Sequence, residues 1–501
     1  MLPLLTSPQI READAYTIAT EPVTSLDLME RASAAFVNCF VVQYPDKANK
    51  IAVYCGTGNN GGDGLAIARI LNRLGFQLIT IKIARFSIKS SDDFNENYKW
   101  LLSERIEATE LMTADALIDE DADIIIDAIL GSGLNKALGG EYAKLVGHLN
   151  SLNKTIVSVD VPTGLFCEGE IEKDAVAIQS DLTITFQQPR LNFLLPESAP
   201  YIGRFMVVDI GLDKQFIQTL HSSYLLVEEE DITKTLKPRK RFTHKGTYGH
   251  ALIIAGQPET MGAVLLSSSA CLYTGAGLTT ACIPASGLTA LNSSMPEVMA
   301  IIRKDTMLPD IAWDKFSTIA IGPGLGKADD ALALLKEAFE KFDKPMVIDA
   351  DALNLIAENP DMLSDIPEGS IITPHMKEFD RLFGAHRSWW SRLTTIRQKA
   401  KEYQINIVLK NQYTITGTPD GMLYFNPTSN PAMASGGMGD VLTGVITALL
   451  AQKYTPEDAC ILGVYLHGAS GDELALPDKL AVVTAGQVAK HMPAAMAKFL
   501  A

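Results

Sequence analysis

Two glycine-rich segments, far apart in the chain, each lead into an apolar run. Residues 58–64 read GNNGGDG, and residues 434–440 read ASGGMGD. Glycines at the start of a helix let backbone N–H groups approach an anionic ligand, and the helix dipole favours negative charge there. A single segment of this kind is a weak signal. Two of them, in different sequence contexts, predict two nucleotide-handling domains on one chain.

The length and charge of the chain limit its possible functions. A chain of 501 residues is too long to fold around one hydrophobic core of ordinary size, so two or three domains are predicted. The formal net charge of −16 argues against broad nucleic-acid binding, which needs a basic face. The short basic stretch at residues 237–241 is interpreted as a solvated linker.

The cysteines and the N-terminus indicate the compartment. The 6 cysteines form no CxxC pair and no metal-ligand spacing, and Cys55 and Cys282 lie in apolar runs, so we expect buried free thiols. Free thiols are typical of a reducing cytoplasm. The first residues lack the pattern of a signal peptide, and no apolar run reaches transmembrane length. We therefore expect a cytoplasmic protein without a membrane partner.

The first half of the chain alternates predicted strands with predicted helices. Helices are expected from Ser7 to about Ile18, from about Ser25, and over Leu65–Leu74. Such alternation predicts an α/β fold, with a parallel sheet that binds ligands at the carboxyl ends of its strands. The predicted strands are Ile51–Cys55, Leu78–Ala84, Ile124–Ala128, Thr155–Val159, Leu182–Phe186 and Phe205–Val208.

The composition changes between about Asp213 and Arg241, where an acidic run precedes the basic one, and we expect the domain boundary there. The second half then restarts the α/β pattern and ends in helices. A hairpin is predicted around Pro419-Asp420-Gly421. The other predicted strands are Ala251–Ala255, Thr279–Ile283, Thr318–Ile321, Met346–Ile348, Ser370–Ile372 and Ile407–Leu409. The predicted helices are Gly262–Tyr273, Ala331–Phe342, Leu393–Tyr403, Val441–Ala451, Glu457–Leu474 and Ala485–Leu500.

Polar residues follow three predicted strands of the first half. The segment 59–64 comes after one strand, Asp127 ends the next, and the segment 160–164, DVPTG, follows a third. Since all three segments lie at one rim of a parallel sheet, the oxygens of Asn60, Asp127 and Thr163 are expected to converge, as oxygen ligands of a hard cation do. Asp160 is a candidate for acid–base chemistry; the alternative is a strand-end residue that caps a turn.

In combination these segments resemble those of the NAD(P)H-hydrate epimerase family, and the resemblance covers residues 1–221. The resemblance implies a Rossmann-like domain that interconverts the R and S hydrates of NADH or NADPH, with Asp160 as the acid–base residue. It also implies a potassium ion held by Asn60, Asp127 and Thr163, where the family often has serine at the last position. The implied contacts to the hydrate are Asn59, Asn60, Gly61, Gly62, Asp63, Gly131, Ser132, Gly133, Leu134, Asn135, Lys136, Ala137 and Asp160.

The second glycine segment predicts phosphate chemistry. Backbone N–H groups of its glycines can hold phosphates, and Asp440 can take a proton from a hydroxyl that attacks the terminal phosphoryl group. No Walker A lysine follows, so the segment is not a P-loop; taken alone, Asp440 would be an N-cap residue. His375 follows a predicted strand at the ligand rim and is interpreted as a substrate contact, whereas His467 is interpreted as packing.

Residues 225–501 resemble the ADP- or ATP-dependent NAD(P)H-hydrate dehydratases, which have a ribokinase-like fold. The resemblance rests on Gly322–Gly326, Asp349–Asn354, Thr373–Glu378 and the glycine segment that ends at Asp440. It implies that Ala263, Gly324, His375 and Asp440 contact the S hydrate. It implies that Lys410, Asn411, Gln412, Tyr413, Thr414 and Gly439 contact the nucleotide, with Asn411 at a position where the family commonly has glycine.

Together the two resemblances imply a metabolite-repair enzyme with a Rossmann-like domain followed by a ribokinase-like domain. The implied substrates are the hydrates NADHX and NADPHX together with ADP, and Mg²⁺ is expected to bridge the nucleotide phosphates. Phosphorylation of the hydrate and elimination of phosphate would give NAD(P)H, AMP and phosphate. We expect a homo-oligomer. Two alternatives stay open: a small-molecule kinase that uses Asp440, and a first half that only binds or scaffolds.

Overall fold

The computed structural model describes residues 1–114, 120–134, 136–303, 308–477 and 479–500. It divides the chain into two compact units. The N-terminal unit comprises Pro3–Ser222 with Ser388–Trp390, and the C-terminal unit comprises Met1–Leu2, Ser223–Arg387 and Ser391–Ala501. A strand of two residues, β1 (Leu2–Pro3), opens the chain and lies at one edge of the larger sheet described below.

The N-terminal unit contains a seven-stranded sheet in the order β4-β3-β2-β5-β6-β7-β8, in which each pair of neighbouring strands is parallel. Its strands are β2 (Ile51–Cys55), β3 (Ile79–Ala84), β4 (Thr109–Leu111), β5 (Ile124–Ala128), β6 (Thr155–Val159), β7 (Leu182–Phe186) and β8 (Arg204–Val208). Its helices are α1 (Ser7–Thr20), α2 (Ser25–Gln43), α3 (Asn59–Arg73), α4 (Asp92–Ser103), α5 (Gly140–Ser151), α6 (Ala199–Ile202) and α7 (Lys214–Thr219).

The sheet order brings the carboxyl ends of β2, β5 and β6 next to one another. Strands β2 and β5 are buried along their whole length, as expected for strands covered by helices on both faces. Phe36 and Phe40 of α2 are fully buried in the same core. Each buried side chain of this size contributes roughly 2–3 kcal/mol through the hydrophobic effect. This core supports the rim on which the predicted polar segments lie.

The prediction for the first glycine segment is wrong in one respect. The helix begins at Asn59 rather than at Leu65, so the segment forms the first turns of α3 instead of a loop. A Cβ at Gly61 would collide with the carbonyl oxygen of Gly56, and a Cβ at Gly64 would lie 2.6 Å from Ala128 Cβ. These glycines therefore allow α3 to pack closely against the ends of β2 and β5.

The C-terminal unit contains an eleven-stranded sheet in the order β1-β9-β18-β17-β16-β15-β14-β13-β10-β11-β12, with a β16-β17-β18 antiparallel meander beside parallel strands. Its further strands are β9 (Tyr224–Leu226), β10 (His250–Ile254), β11 (Leu278–Pro284), β12 (Met299–Arg303), β13 (Thr318–Ile321), β14 (Val347–Ile348), β15 (Ile371–Ile372), β16 (Asn406–Leu409), β17 (Ile415–Gly417) and β18 (Leu423–Phe425).

The helices of the C-terminal unit include α15, which is buried from Val441 to Ala451. They are α8 (Glu229–Thr235), α9 (Met261–Thr274), α10 (Leu288–Ser294), α11 (Asp329–Lys341), α12 (Asp351–Glu358), α13 (Met376–Phe383), α14 (Trp389–Tyr403), α15 (Met438–Ala451), α16 (Pro456–Ala475) and α17 (Ala485–Ala497). Helix α15 begins three residues before the predicted Val441, so Gly439 and Asp440 belong to its first turn. In the described part of the chain, no helix combines the length and apolarity needed to cross a membrane.

Candidate active sites

A cavity of about 510 Å³ lies at the carboxyl ends of the strands in the N-terminal unit. Among the predicted hydrate contacts, eight line it: Asn59, Asn60, Asp63, Gly131, Ser132, Gly133, Leu134 and Asp160. Four others do not line it: Gly61 and Gly62 are buried packing positions, and Lys136 and Ala137 are exposed. The predicted contact Asn135 lies outside the described residues.

Asp160 is held in an ion pair. It follows β6 with a left-handed backbone, φ 63°, and Arg190 Nη2 donates to its Oδ1 at 2.5 Å. The Thr185 hydroxyl and the Phe186 backbone N–H also donate to Oδ1, at 3.1 Å and 3.3 Å. Arg190 is buried and lines the cavity, and no described residue accepts from its Nε and Nη1. These donors stabilise the ionised carboxylate and leave guanidinium N–H groups for a ligand.

Three further carboxylates line the same cavity: those of Asp14, Asp63 and Asp93. Burial raises the pKa of Asp14 to about 6, with the Asp160 charge adding to the effect and Arg190 opposing it. Burial, followed by the charge of Asp160, raises the pKa of Asp63 well above its usual value. Neither Asp14 nor Arg190 is among the site residues predicted from the sequence. Arg190 follows β7 at the same rim, which was the available signal, whereas nothing about helix α1 indicated that Asp14 reaches this cavity.

The predicted cation ligands are partly brought together. Thr163 donates to both Asp127 oxygens, from its hydroxyl at 2.6 Å and from its backbone N–H at 2.8 Å. The same hydroxyl lies 3.1 Å from the Leu130 carbonyl oxygen. Asn60 packs against Gly131, where a Cβ would lie 3.1 Å from Asn60 Oδ1, and its buried Nδ2 has no partner among the described residues. Burial raises the pKa of Asp127, opposed by the hydrogen bonds from Thr163.

In the C-terminal unit, Asp440 lies beside a buried ion pair. Lys410 Nζ donates to Asp349 Oδ1 at 2.9 Å, and the Thr443 hydroxyl donates to Asp349 Oδ2 at 2.8 Å. Burial raises the pKa of Asp440 to about 6; the charge of Asp349 raises it further and Lys410 opposes the shift. A carboxyl group with this pKa can accept and release a proton near neutral pH.

Glycine is required at the start of helix α15. A Cβ at Gly439 would lie 3.3 Å from Lys410 Nζ and 3.8 Å from Asp349 Oδ2. Gly437 has φ 91°, a left-handed conformation, and a Cβ there would lie 2.5 Å from Leu266 Cδ1. Helix α15 therefore begins beside the Lys410 ammonium group, and Gly439 of its first turn lines a cavity, an arrangement suited to phosphate.

A second cavity, of about 300 Å³, is lined by five of the six predicted nucleotide contacts: Lys410, Asn411, Gln412, Thr414 and Gly439. Tyr413 does not line it. His467, which the sequence indicates as a packing residue of helix α16, also lines this cavity. His467 Nε2 and Asn411 Nδ2 are both buried without a partner among the described residues. Burial, followed by the charge of Lys410, lowers the pKa of His467 to about 4, so the ring is neutral.

The remaining candidates lie outside that cavity. Ala263 and Gly324 are neighbours, since a Cβ at Gly324 would lie 3.1 Å from Ala263 Cβ. His375 is the N-cap of α13; its Nδ1 accepts from the backbone N–H of Lys377 at 3.0 Å, and its backbone pairs with that of Lys410. Burial lowers the pKa of His375. His375 therefore adjoins the Asp349–Lys410 pair while also capping a helix.

Comparisons with known proteins cover both units. A family profile described as NAD(P)H-hydrate dehydratase matches residues 251–494, and one described as YjeF-related protein N-terminus matches residues 25–191. A structure described as a ribokinase-like superfamily protein from Enterococcus faecalis is 28% identical and covers 56% of this chain and 98% of that chain, with a TM-score of 0.51. The predicted α/β fold with a ribokinase-like half is confirmed.

Two curated relatives match along nearly the whole chain. The bifunctional NAD(P)H-hydrate repair enzyme Nnr of Moorella thermoacetica is 33% identical over 510 residues, which cover 98% of this chain and 96% of that protein. The enzyme of the same name from Escherichia coli is 34% identical over 469 residues, which cover 93% of this chain and 88% of that protein. The chain therefore belongs to the family of bifunctional NAD(P)H-hydrate repair enzymes, which combine an epimerase with a dehydratase.

Proposed function

We propose that the N-terminal unit interconverts the R and S hydrates of NADH and NADPH, and that the C-terminal unit dehydrates the S form at the expense of ADP. The observation that carries this proposal is the placement of Asp440, whose pKa is raised to about 6, at a glycine-lined helix start beside Lys410 and Asp349. A proton acceptor next to a phosphate-binding helix terminus is what phosphoryl transfer to a hydroxyl needs.

In the proposed dehydration, Asp440 takes the proton of the hydrate hydroxyl as its oxygen attacks the terminal phosphoryl group of ADP, and AMP leaves. Lys410 and the backbone N–H groups around Gly439 hold the phosphates. The new phosphate ester then breaks its C–O bond. Phosphate leaves with the electron pair and takes the proton that the neighbouring ring carbon loses, and the double bond of NAD(P)H is restored. Phosphate is a better leaving group than hydroxide, which explains the use of a nucleotide.

In the proposed epimerisation, the hydrate ring occupies the cavity that Asp160 and Arg190 line. Asp160, which accepts hydrogen bonds from Arg190, Thr185 and the Phe186 backbone, is the proton acceptor of this site. The Arg190 Nε and Nη1 groups, which lack protein partners among the described residues, are available to hydrogen-bond the substrate.

The residues present fit the two implied cations. The Thr163 hydroxyl, the Asp127 carboxylate and the Leu130 carbonyl form an oxygen cluster, with Asn60 nearby, and would hold potassium. Potassium bound there would fix the neighbouring strand ends. Magnesium is bound mainly by substrate phosphates with one or two carboxylates, and Asp349, beside the glycine-lined helix start, would supply one of them. Magnesium would neutralise charge on the transferred group.

The cysteines support a reducing, cytoplasmic location for this activity. All 6 are free, and Cys55, Cys167, Cys271, Cys282 and Cys460 are buried.

The proposal is tested by incubating the protein with an R/S mixture of hydrated NADH, Mg²⁺ and ADP, while NADH absorbance and free phosphate are followed. We expect conversion of both epimers with one phosphate released per NADH. Conversion of the S fraction alone, at the spontaneous epimerisation rate, would reject the epimerase. A stable phosphorylated product without NADH would instead indicate a small-molecule kinase.

A further inference from the structure

We propose that Asp14 is the second proton-transferring group of the N-terminal cavity, and that it acts together with Asp160 in epimerisation. This inference rests on the proposed epimerase function. Asp14 belongs to helix α1, whereas the predicted site residues all come from segments after β2, β5 and β6. Asp14 would therefore join the site from helix α1, which supplies none of the predicted site residues.

The surroundings of Asp14 are those of a reactive group. The residue lines the cavity, and no hydrogen bond or ion pair engages its carboxylate in the described part of the chain. A largely buried carboxylate without a protein partner is costly, and such groups cluster at functional sites. The charged and titratable groups that act on it are Arg11 on its own helix, Asp160 and Arg190 at the strand rim, and Asp63 on α3.

Asp14 and Asp160 differ in the way that a proton donor and a proton acceptor should differ. Asp160 receives three hydrogen bonds, one of them from the buried Arg190 guanidinium. Asp14 receives none from described residues, and burial raises its pKa to about 6. Two carboxyl groups in one cavity, one held by three donors and the other without a protein partner among the described residues, are typical of an acid–base pair.

Epimerisation at the hydroxyl-bearing ring carbon needs both roles. Asp160 takes the hydroxyl proton as the oxygen forms a carbonyl, and the C–N bond breaks with its electron pair returning to the ring nitrogen. That nitrogen takes the proton of Asp14. After rotation, the nitrogen adds to the other face of the carbonyl and returns its proton to Asp14, while the oxygen regains a proton from Asp160. The reaction is an isomerisation and needs no further reactant.

Asp63 and Asp93 also line the cavity, but their environments fit this role less well. Asp93 accepts from the Ser25 hydroxyl at 2.7 Å in an exposed position. Burial raises the pKa of Asp63 well above its usual value, and the charge of Asp14 adds to this rise. A group that must give and regain a proton in each turnover works best with a pKa near the working pH. Asp14, at about 6, meets that condition.

The test measures epimerisation alone, starting from one pure epimer of hydrated NADH with ADP omitted and following the other epimer by chromatography. The variants are D14N, D14E and D63N, with E12Q as the matched control, since Glu12 is an exposed carboxylate of the same helix outside the cavity. We expect D14N to lower kcat roughly 100-fold or more, D14E to recover part of the rate, and E12Q to behave as wild type.

Two further readouts separate catalysis from structure. In wild type, the rate should fall as pH rises above about 6, because the protonated form of Asp14 is lost, and this fall should be absent from the residual activity of D14N. Dehydration of the S hydrate with ADP by D14N should stay at the wild-type rate. Any of three results for D14N would overturn the role of Asp14. They are a rate within threefold of wild type, a higher KM with an unchanged kcat, and an unchanged pH profile. A wild-type protein without epimerisation would instead reject the epimerase function itself.

Discussion

In the proposed dehydration Asp440 is the base, and its ionisation predicts a pH dependence. A base must be unprotonated to accept the hydroxyl proton, and the pKa of Asp440 is raised to about 6. We expect kcat/KM for S-hydrate dehydration to decline as pH falls below about 6, approaching a tenfold loss per pH unit. D440N should lose roughly 10²–10⁴ of the rate. A flat profile between pH 5 and 8 would contradict this role.

The same residue predicts a stability effect of defined sign. Because the folded state raises the pKa of Asp440 from 3.8 to about 6, its contribution to stability is full below about pH 4 and is lost as pH rises through 6. The variant D440N never ionises. Its unfolding free energy should exceed that of wild type by about 1–3 kcal/mol at pH 8, and the difference should vanish near pH 4. Denaturant unfolding at both pH values measures this, and a less stable D440N at pH 8 would contradict it.

His467 and Asn411 predict a nucleotide-binding effect. Both present buried nitrogens without protein partners, among the described residues, to the cavity that the predicted nucleotide contacts line. A lost hydrogen bond of this kind costs about 0.5–1.5 kcal/mol. H467A and N411A should therefore each raise KM for ADP by roughly two- to tenfold, while the exposed residue His221 serves as the control in H221A. Unchanged KM values for both variants would remove these residues from the nucleotide site.

At the scale of elements, the glycines of α3 act through close packing. A Cβ at Gly61 would collide with the Gly56 carbonyl, whereas a Cβ at Gly58 meets nothing within 4 Å. Overpacking costs typically 1–3 kcal/mol, so G61A should lower Tm by several degrees and G58A should change it little. Thermal unfolding of both variants decides the matter. Equal Tm values would contradict the packing role assigned to Gly61.

Buried strands were predictable, and several helices were not. The runs that became β2 and β5 were predicted with their observed bounds, because continuous burial selects continuous apolar sequence. Helices α4 and α5 lay in segments without any prediction; α4 has only three buried residues among many polar ones. The start of α3 was predicted too late in the chain, because its glycines suggest a loop. The close contacts that require these glycines are made with residues outside the helix, which the local sequence does not show.

At the scale of the molecule, the candidate sites combine residues that are distant in sequence. The motifs around Asp127, Asp160 and Asp440 were visible because each lies beside glycines at a strand or helix end. Asp14 and Arg190 have no such marker, and only the three-dimensional arrangement brings them to the cavity. Local chemistry was therefore predictable from sequence, whereas the pairing of charges depends on sheet order and helix placement.

We propose that this one chain catalyses two separable reactions on the same metabolite. The most direct measurement supplies D440N with the pure S hydrate of NADH, ADP and Mg²⁺, and follows both epimers and NADH over time. We expect D440N to form the R epimer at the wild-type rate while almost no NADH appears, whereas wild type converts all hydrate to NADH. If D440N forms no R epimer beyond the enzyme-free rate, or makes NADH as fast as wild type, the claim is contradicted.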